Sequence, residues 1–513
     1  MKKWSFRVTA ILALILSLSV LAGCSGDKGG TLKEKKITLI YTFSTNTLDP
    51  AVDKRYMALR SGILETLVRV DNASMKLTPW LASSWQTTDG SHWEFTIRDG
   101  VKFHDGSPLD AQAVKISLEK LTAANKGLKN NLKIASMEAQ GQKLLIVTTE
   151  NHPGLASELA HPQTAIIKAA APSPDTKPIG TGPYMVEKFQ PNAQIDLVKN
   201  HQYWDGKVNL DKVAFMTNED ANARLMALQS GDADIIMKPA SESLKTISAN
   251  PKLQVDAVKG ISRVHNVIYN CKRPLMVDAS FRKGLDALIN RQEIVNTVLM
   301  GQADAAQGPF VKEYPFAPDY SAHAFGLEKA LEYFKEGGYP VVNNQVLGKD
   351  GNHLKLKFIS YTAQPEFPAI TQMIQDNAKK LGIQLTIQLV DNIDDYLIAN
   401  EDWDLSMYSV FAVPRGDARY YLNTFIAPGA AYNYARITNP QLGGIIQKYN
   451  VELDEKQRNE LTRQATEIID KENYISYILF PKITSAYNKR VTGWSTDPLE
   501  YYVITKNLDV SAP

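Results

Sequence analysis

"HWEFTIRDGVKFHDGSP", residues 92–108, alternates apolar and polar side chains. Trp93, Phe95 and Ile97 repeat every second residue, the period of a strand with one buried face. Asp99-Gly100 is a two-residue turn signal, and Val101 and Phe103 resume the alternation, so the stretch predicts a β-hairpin. The period then changes. In "DAQAVKISLEKL", which follows, Val114, Leu118 and Leu121 fall on one helical face and Asp110 is placed to cap the first turn. Strand signals feeding directly into a helix mark a mixed α and β unit.

The same grammar recurs outward from this stretch. "KITLIYTF" (36–43) reads as a strand. "ANARLMALQSGDADII" (221–236) reads as a helix with Leu225 and Leu228 on one stripe, a stop at Gly231 and an extended end. "DASFRKGLDALINRQEIVNTVLMG" (278–301) has helical spacing at Phe281, Leu285, Leu288, Ile289, Ile294 and Val298. "PAITQMIQDNAKKLGIQLTIQLVD" (368–391) gives a helix through Ile370, Met373, Ile374 and Leu381, a stop at Gly382 and a strand. Helix-stop-strand units point to α/β or α+β lobes. There is no internal repeat and no low-complexity segment.

The N-terminus sets the compartment. Lys2, Lys3 and Arg7 precede an apolar run, "VTAILALILSLSVLAG" (8–23), too short for a membrane span of about 20 residues but laid out as a secretory signal. Leu21-Ala22-Gly23-Cys24 resembles the lipobox of bacterial lipoproteins, in which the Cys carries the lipid and becomes the mature N-terminus. Residues 1–23 are thus expected to be a signal peptide and 24–35 a lipidated, Gly-rich tether that anchors the chain outside the cytoplasm without crossing the membrane. With Cys24 lipidated, Cys271 is the second of two cysteines and has no intrachain partner. It reads as a small buried hydrophobe.

Net charge is +2 over 513 residues, with three positives in the signal region, so the mature part is close to neutral and carries no basic face for nucleic acid. About 490 mature residues exceed one hydrophobic core and predict two large lobes. Catalytic signatures are missing. No HExxH, GxSxG or GxxxxGK[ST] occurs, and none of the eight His forms an i, i+4 pair. "IGTGPY" (179–184) is a turn, since Pro183 removes a donor an anion would need. Asp391, Asp394 and Asp395 read as a solvated helix start. No cofactor, no metal ligand set and no enzymatic activity are expected, with an extracellular hydrolase as one alternative because two carboxylates suffice for glycoside hydrolysis.

Several phrases stand in a distinctive order: "LDPAVDKRYMALRSGILETLVRVD" (48–71), "LTPWLASSWQTTDGSHWEFTIRDGVKFHDGSPLDAQAVKISLEKL", "PIGTGPYMVEKFQPNAQIDLVKNHQYWDGK", "ARLMALQSGDADII", "FRKGLDALINRQEIV" and "ITSAYNKRVTGWSTDPLEYYVITKNLD". This order resembles the extracellular solute-binding proteins, family 5, of dipeptide, oligopeptide and nickel ABC importers, over residues 36 to about 510. The resemblance implies an α/β, two-lobed periplasmic-binding-protein-like fold with a hinge and an extra subdomain in lobe I. Lobe I would be 36–270, with the subdomain at about 80–180, lobe II 275–478, and 480–513 a return to lobe I. The crossings would lie near "YNCKRP" and "LFPKIT", with Cys271 beside a hinge. The implied function is capture of a small solute between the lobes and delivery to an ABC permease in the membrane, by a monomer.

The resemblance also implies ligand residues. Peptide binders of the family carry a Gly-Asp pair before an aromatic run, and Gly416-Asp417 before Tyr420-Tyr421 is similar, with Ala418 where Pro is usual. Asp417 would meet a ligand ammonium. Nickel binders resemble the chain at "RSGILETLV", "AQGPF" and "EYYVITKNLD", but their lobe I Arg corresponds here to Gln163, two residues after His161, and "APGAAYNY" lacks the His of their lobe II loop. A third branch takes carboxylate-rich metallophores, which Arg415 and Arg419 would clamp. Tyr408 and Phe411, with Tyr41 and Asn46 from lobe I, would line the cleft. The expected ligand is a small zwitterionic, amino-acid-derived solute, either a short peptide or a metal–metallophore or nickel complex. Arg415-Gly416-Asp417 leaves one further alternative, an adhesion tripeptide.

Overall fold

On the strand Lys36–Tyr41, Ile37, Leu39 and Tyr41 face one buried cluster and Ile40 another, so the strand is covered on both sides. The computed structural model describes residues 34–511 apart from 73 and 75; the expected signal peptide, Cys24 and all but the end of the tether lie outside the described residues. Lys36–Tyr41 pairs in parallel with Lys212–Thr217 and Ile235–Met237 at the centre of a seven-stranded sheet. Gln194–Lys199 and Tyr184–Gln190 extend one side of it, Ile483–Asn488 and Leu253–Val258 the other.

A six-stranded sheet runs in the order Ala303–Ala305, Ile475–Pro481, Arg263–Tyr269, Leu405–Phe411, Lys355–Tyr361 and Gln384–Val390. The helix Phe367–Lys380 is the crossover between the last two, which are parallel, and Gly382, at φ 75°, turns the chain from helix to strand. Two mixed sheets with flanking helices make a two-domain α/β fold of the periplasmic-binding-protein kind.

The opening stretch lies in a smaller antiparallel sheet, ordered Ala82–Thr87, His92–Ile97, Lys143–Thr148, Ile134–Gln140. Asp110 caps the helix Ala111–Ala124 as expected, its carboxylate accepting from the Ala113 N–H at 2.8 Å, and Val114, Leu118 and Leu121 are buried. The hairpin is corrected. Both edges of His92–Ile97 are taken, by Ala82–Thr87 and Lys143–Thr148. Val101 and Phe103 instead sit in a closed loop in which the Leu109 N–H donates to Val101 and the Phe103 N–H to Ser107. Both are buried, and the stretch pairs with 107–109 through an antiparallel bridge of Lys102 with Pro108, not with His92–Ile97.

The first crossing between the large sheets is also displaced from the sequence reading. The chain leaves the seven-stranded sheet after Val258 and enters the six-stranded one at Arg263, before "YNCKRP". The return passes from Pro481 to Ile483, within "LFPKIT". The two crossings lie side by side: a Cβ on Gly260 would sit 2.1 Å from the Pro481 carbonyl oxygen. Cys271 follows the far end of Arg263–Tyr269, about 20 Å along the strand from this ribbon. It is half-buried, and burial pushes its thiol up to about 11.

Glu65 ties the small sheet to the seven-stranded body. Its buried carboxylate accepts from Trp80 Nε1 (3.0 Å), Tyr203 Oη (2.7 Å), Thr181 Oγ1 (2.7 Å) and Trp204 Nε1 (2.9 Å). Burial pushes it up to about 7 against the pull of these four donors. A raised carboxyl contributes stability that is full below its unfolded value of 4.5 and is lost as pH rises through 7. Unfolding free energy is expected to fall by up to about 3 kcal/mol from this group over that window. Glu65→Gln should remove that slope and, because a Gln amide cannot accept from all four donors, lower stability at neutral pH by about 1–3 kcal/mol. Urea unfolding at pH 5 and pH 7 checks both, and an unchanged slope in the variant would contradict the assignment.

Candidate ligand-binding site

The segment after Leu405–Phe411 leaves the six-stranded sheet and reaches Val70 and residues 154–158. Gly416, at φ 78°, makes the turn, and a Cβ there would lie 3.2 Å from Val70 Cγ2, so glycine satisfies both the conformation and the approach. Arg415 inserts its guanidinium beside the Glu158 carboxylate, and both side chains are buried. Ser157 Oγ donates to the Arg415 carbonyl at 2.7 Å. Gly154, three residues before Ser157 and just ahead of the short helix Leu155–Glu158, admits Arg419, whose Nε would be 2.2 Å from a Cβ. Asn151 Nδ2 donates to the Val451 carbonyl at 3.2 Å. Residues 151–158 therefore hold residues 415–419 and 451.

Aromatic rings surround this clamp. The Arg415 guanidinium lies 4.9 Å over the Tyr420 ring. Tyr420 continues to Phe425, Tyr408 and Tyr434 at ring separations of 5.4 to 6.0 Å. From the other lobe, Tyr56 packs edge-on against His161 at 5.3 Å and Tyr501 at 6.0 Å. Burial alone would lower the Arg415 pKa, but Glu158, with Tyr420 and Tyr501, raises it above its usual value and holds the guanidinium protonated. Burial and the same guanidinium keep His161 neutral.

The other expected site residues take varied positions. Tyr41 is fully buried, and its hydroxyl donates to Glu500 Oε2 at 3.1 Å. Lys238 Nζ lies 3.2 Å from the same oxygen, and against burial Lys238 and Arg60 hold Glu500 down to about 2. Asn46 is exposed, and Gln163 is half-buried with its N–H donating to His161 Nδ1. Phe411 carries the Arg263 guanidinium over its ring at 3.8 Å. Asp417 is half-buried, and its Oδ1 accepts from the Arg419 N–H at 3.1 Å. Arg419 is buried and donates to Asn450 Oδ1 at 3.1 Å. Arg415 and Arg419 thus meet residues 154–158 directly, whereas Tyr41 is buried and Asn46 exposed.

Asp394 departs from the sequence reading. Asn392 caps its helix, and Asp394 Oδ1 accepts the Tyr408 and Tyr434 hydroxyls at 2.7 and 2.8 Å. Glu158, Tyr56 and Tyr501 carried no local signal; an acid on a short helix four residues after a glycine is the faint one Glu158 left. Because Arg415 is buried and paired across the lobes, the Arg-Gly-Asp tripeptide is not displayed for adhesion.

A family model described as bacterial extracellular solute-binding proteins, family 5 (middle region), matches residues 76–433. The chain belongs to that family. As a family 5 binding protein it captures a small solute outside the cytoplasm and delivers it to an ABC permease, a role that accords with binding without catalysis. It is 30% identical over 499 residues to the nickel-binding protein NikA of Staphylococcus aureus, covering 97% of this chain and 98% of that one. A solved structure titled as a nickel ABC transporter from Bacillus halodurans shares 42% identity with a TM-score of 0.84, covering 93% of this chain and all of that one. NikA from S. aureus in complex with Ni(L-His)2 shares 29% identity with a TM-score of 0.78, over 93% and 100% of the two chains.

The clamp yields a sharp energetic test. Arg415→Ala strands a buried carboxylate and is expected to cost about 3–5 kcal/mol in urea unfolding. Adding Glu158→Ala should recover part of that loss, since no buried charge remains. A double variant less stable than Arg415→Ala would contradict the pairing.

Proposed function

We propose that this receptor carries a small zwitterionic, amino-acid-derived solute between its lobes, and that the solute is a nickel ion chelated by amino-acid ligands. The relatives support the chelate: a protein 42% identical is titled a nickel ABC transporter, and one 29% identical is titled as holding Ni(L-His)2. The observation that carries the reading is Arg415, a lobe II guanidinium placed among Tyr56, Tyr420 and Tyr501 and balanced by Glu158 of lobe I. Carboxylate arms of a chelate would contact Arg415 and Arg419, an ammonium would meet Asp417, and rings such as Tyr408 and Phe411 would stack on the chelate, with Gln163, Asn46 and Tyr41 on the lobe I side. Gly416-Asp417 before an aromatic run favours a second reading, a short peptide held by its ammonium.

In this reading lobe I comprises the seven-stranded and small sheets and lobe II the six-stranded sheet. Lobe closure over the solute is the signal to the permease. The receptor is a monomer tethered to the outer face of the cell membrane by lipid on Cys24.

Native mass spectrometry of the purified protein, with metal analysis, is the test. A nickel-containing complex should be carried or acquired from nickel and histidine, and both Arg415→Ala and Asp417→Asn should weaken it. A bound peptide mass without metal would replace the chelate reading with the peptide one.

A further inference from the structure

A cavity of about 130 Å³ lies where the two lobes meet, beside the clamp. Asn131, His152 and Glu158 contribute one wall, and Arg415, Arg419 and Asn450 the other. At about 30 Å³ per water it holds roughly four waters, or a carboxylate with two or three further heavy atoms.

Of the three cations that line it, two have a carboxylate in contact. Lys133 pairs with Glu150, and Arg415 pairs with Glu158. His152 is neutral, held down to about 3 by burial and by the cations Arg419 and Lys133 beside it, with Nε2 donating to the Asn131 carbonyl at 2.9 Å. Arg419 differs from the other cations. Its guanidinium donates to the side-chain and backbone oxygens of Asn450 at 3.1 and 3.4 Å and lies 5.3 Å from the Tyr449 ring centre, all neutral partners. Asp417 accepts the Arg419 backbone N–H and does not reach its guanidinium, which has no carboxylate within 4 Å among the described residues. Arg419 is 8% exposed, and its Nε and that of Arg415 are buried without an acceptor. A buried guanidinium that no carboxylate touches, Glu158 and Asp417 acting on it only from farther off, is costly, and a site-sized polar cavity adjoins it.

We propose that this cavity seats one small carboxylate, which neutralises Arg419 and, touching both lobes, favours their closed arrangement. The carboxylate has two sources, a free small organic acid or an arm of the transported solute. Only the second rests on the transport reading above.

The full-length mature protein is melted in increasing sodium acetate against sodium chloride at matched ionic strength. The melting temperature should rise with the logarithm of acetate concentration in the wild type and not in Arg419→Gln. Asn131→Asp, which brings a carboxylate to the cavity wall, should also abolish the response, and it stands in if Arg419→Gln does not fold. An acetate response equal to that of chloride, or one retained in both variants, overturns the proposal. The sources separate in a binding assay with nickel–histidine and nickel–histidinamide. If the solute supplies the carboxylate, Arg419→Gln weakens nickel–histidine by about tenfold or more and leaves nickel–histidinamide unchanged. If the acetate response depends on Arg419 and nickel–histidine binding does not, the seat takes a free anion. The acetate arm reads out even if nickel–histidine never binds.

Discussion

Two adjacent crossings, between Val258 and Arg263 and between Pro481 and Ile483, join the large sheets covalently. They form a narrow ribbon, packed so closely that Gly260 has no room for a side chain. A ribbon of this kind fixes the neighbourhood of the lobes and leaves their relative angle to noncovalent contacts. The contact of residues 151–158 with 415–419 lies away from it and is one such contact.

That meeting is built from charge inside a buried contact. Arg415 and Glu158 are each too costly to bury alone, and together they are tolerated because the partner is present and hydrogen-bonded. The consequence is conditional stability: the pair is satisfied when the lobes are together and hydrated when they are apart. A solute with a carboxylate enters a contact that already contains one, so it must either displace Glu158 or use a second cation. Arg419, buried against neutral amides and a ring, is placed to be that cation. The aromatic rings on both sides make the remainder of the cleft suitable for a flat or apolar ligand face.

What the sequence reveals divides along the range of the interaction. Helices and their stops are local, and Asp110, Gly231 and Gly382 act where the pattern put them. Pairing is not local. Val101 and Phe103 alternate as a strand does, yet the edges of His92–Ile97 are occupied by segments the alternation cannot name. The run Arg263–Tyr269 is nearly all buried and central in its sheet, and nothing in seven such residues says which sheet owns them, so the crossing was expected several residues late. The loop bearing Arg415 and Asp417 was legible through its glycine and its family-like frame. Glu158 was not, because it lies 257 residues away from Arg415, and two tyrosine hydroxyls on Asp394 were hidden for the same reason. A charge in a polar run looks solvated until the fold brings its partner.

The central claim is that solute and clamp act on one closing motion. Small-angle X-ray scattering of the mature protein, with and without nickel–histidine, measures that motion directly. The radius of gyration is expected to be smaller with solute, and the free Arg415→Ala variant more open than the free wild type because its clamp is broken. An identical radius in all three samples would contradict it.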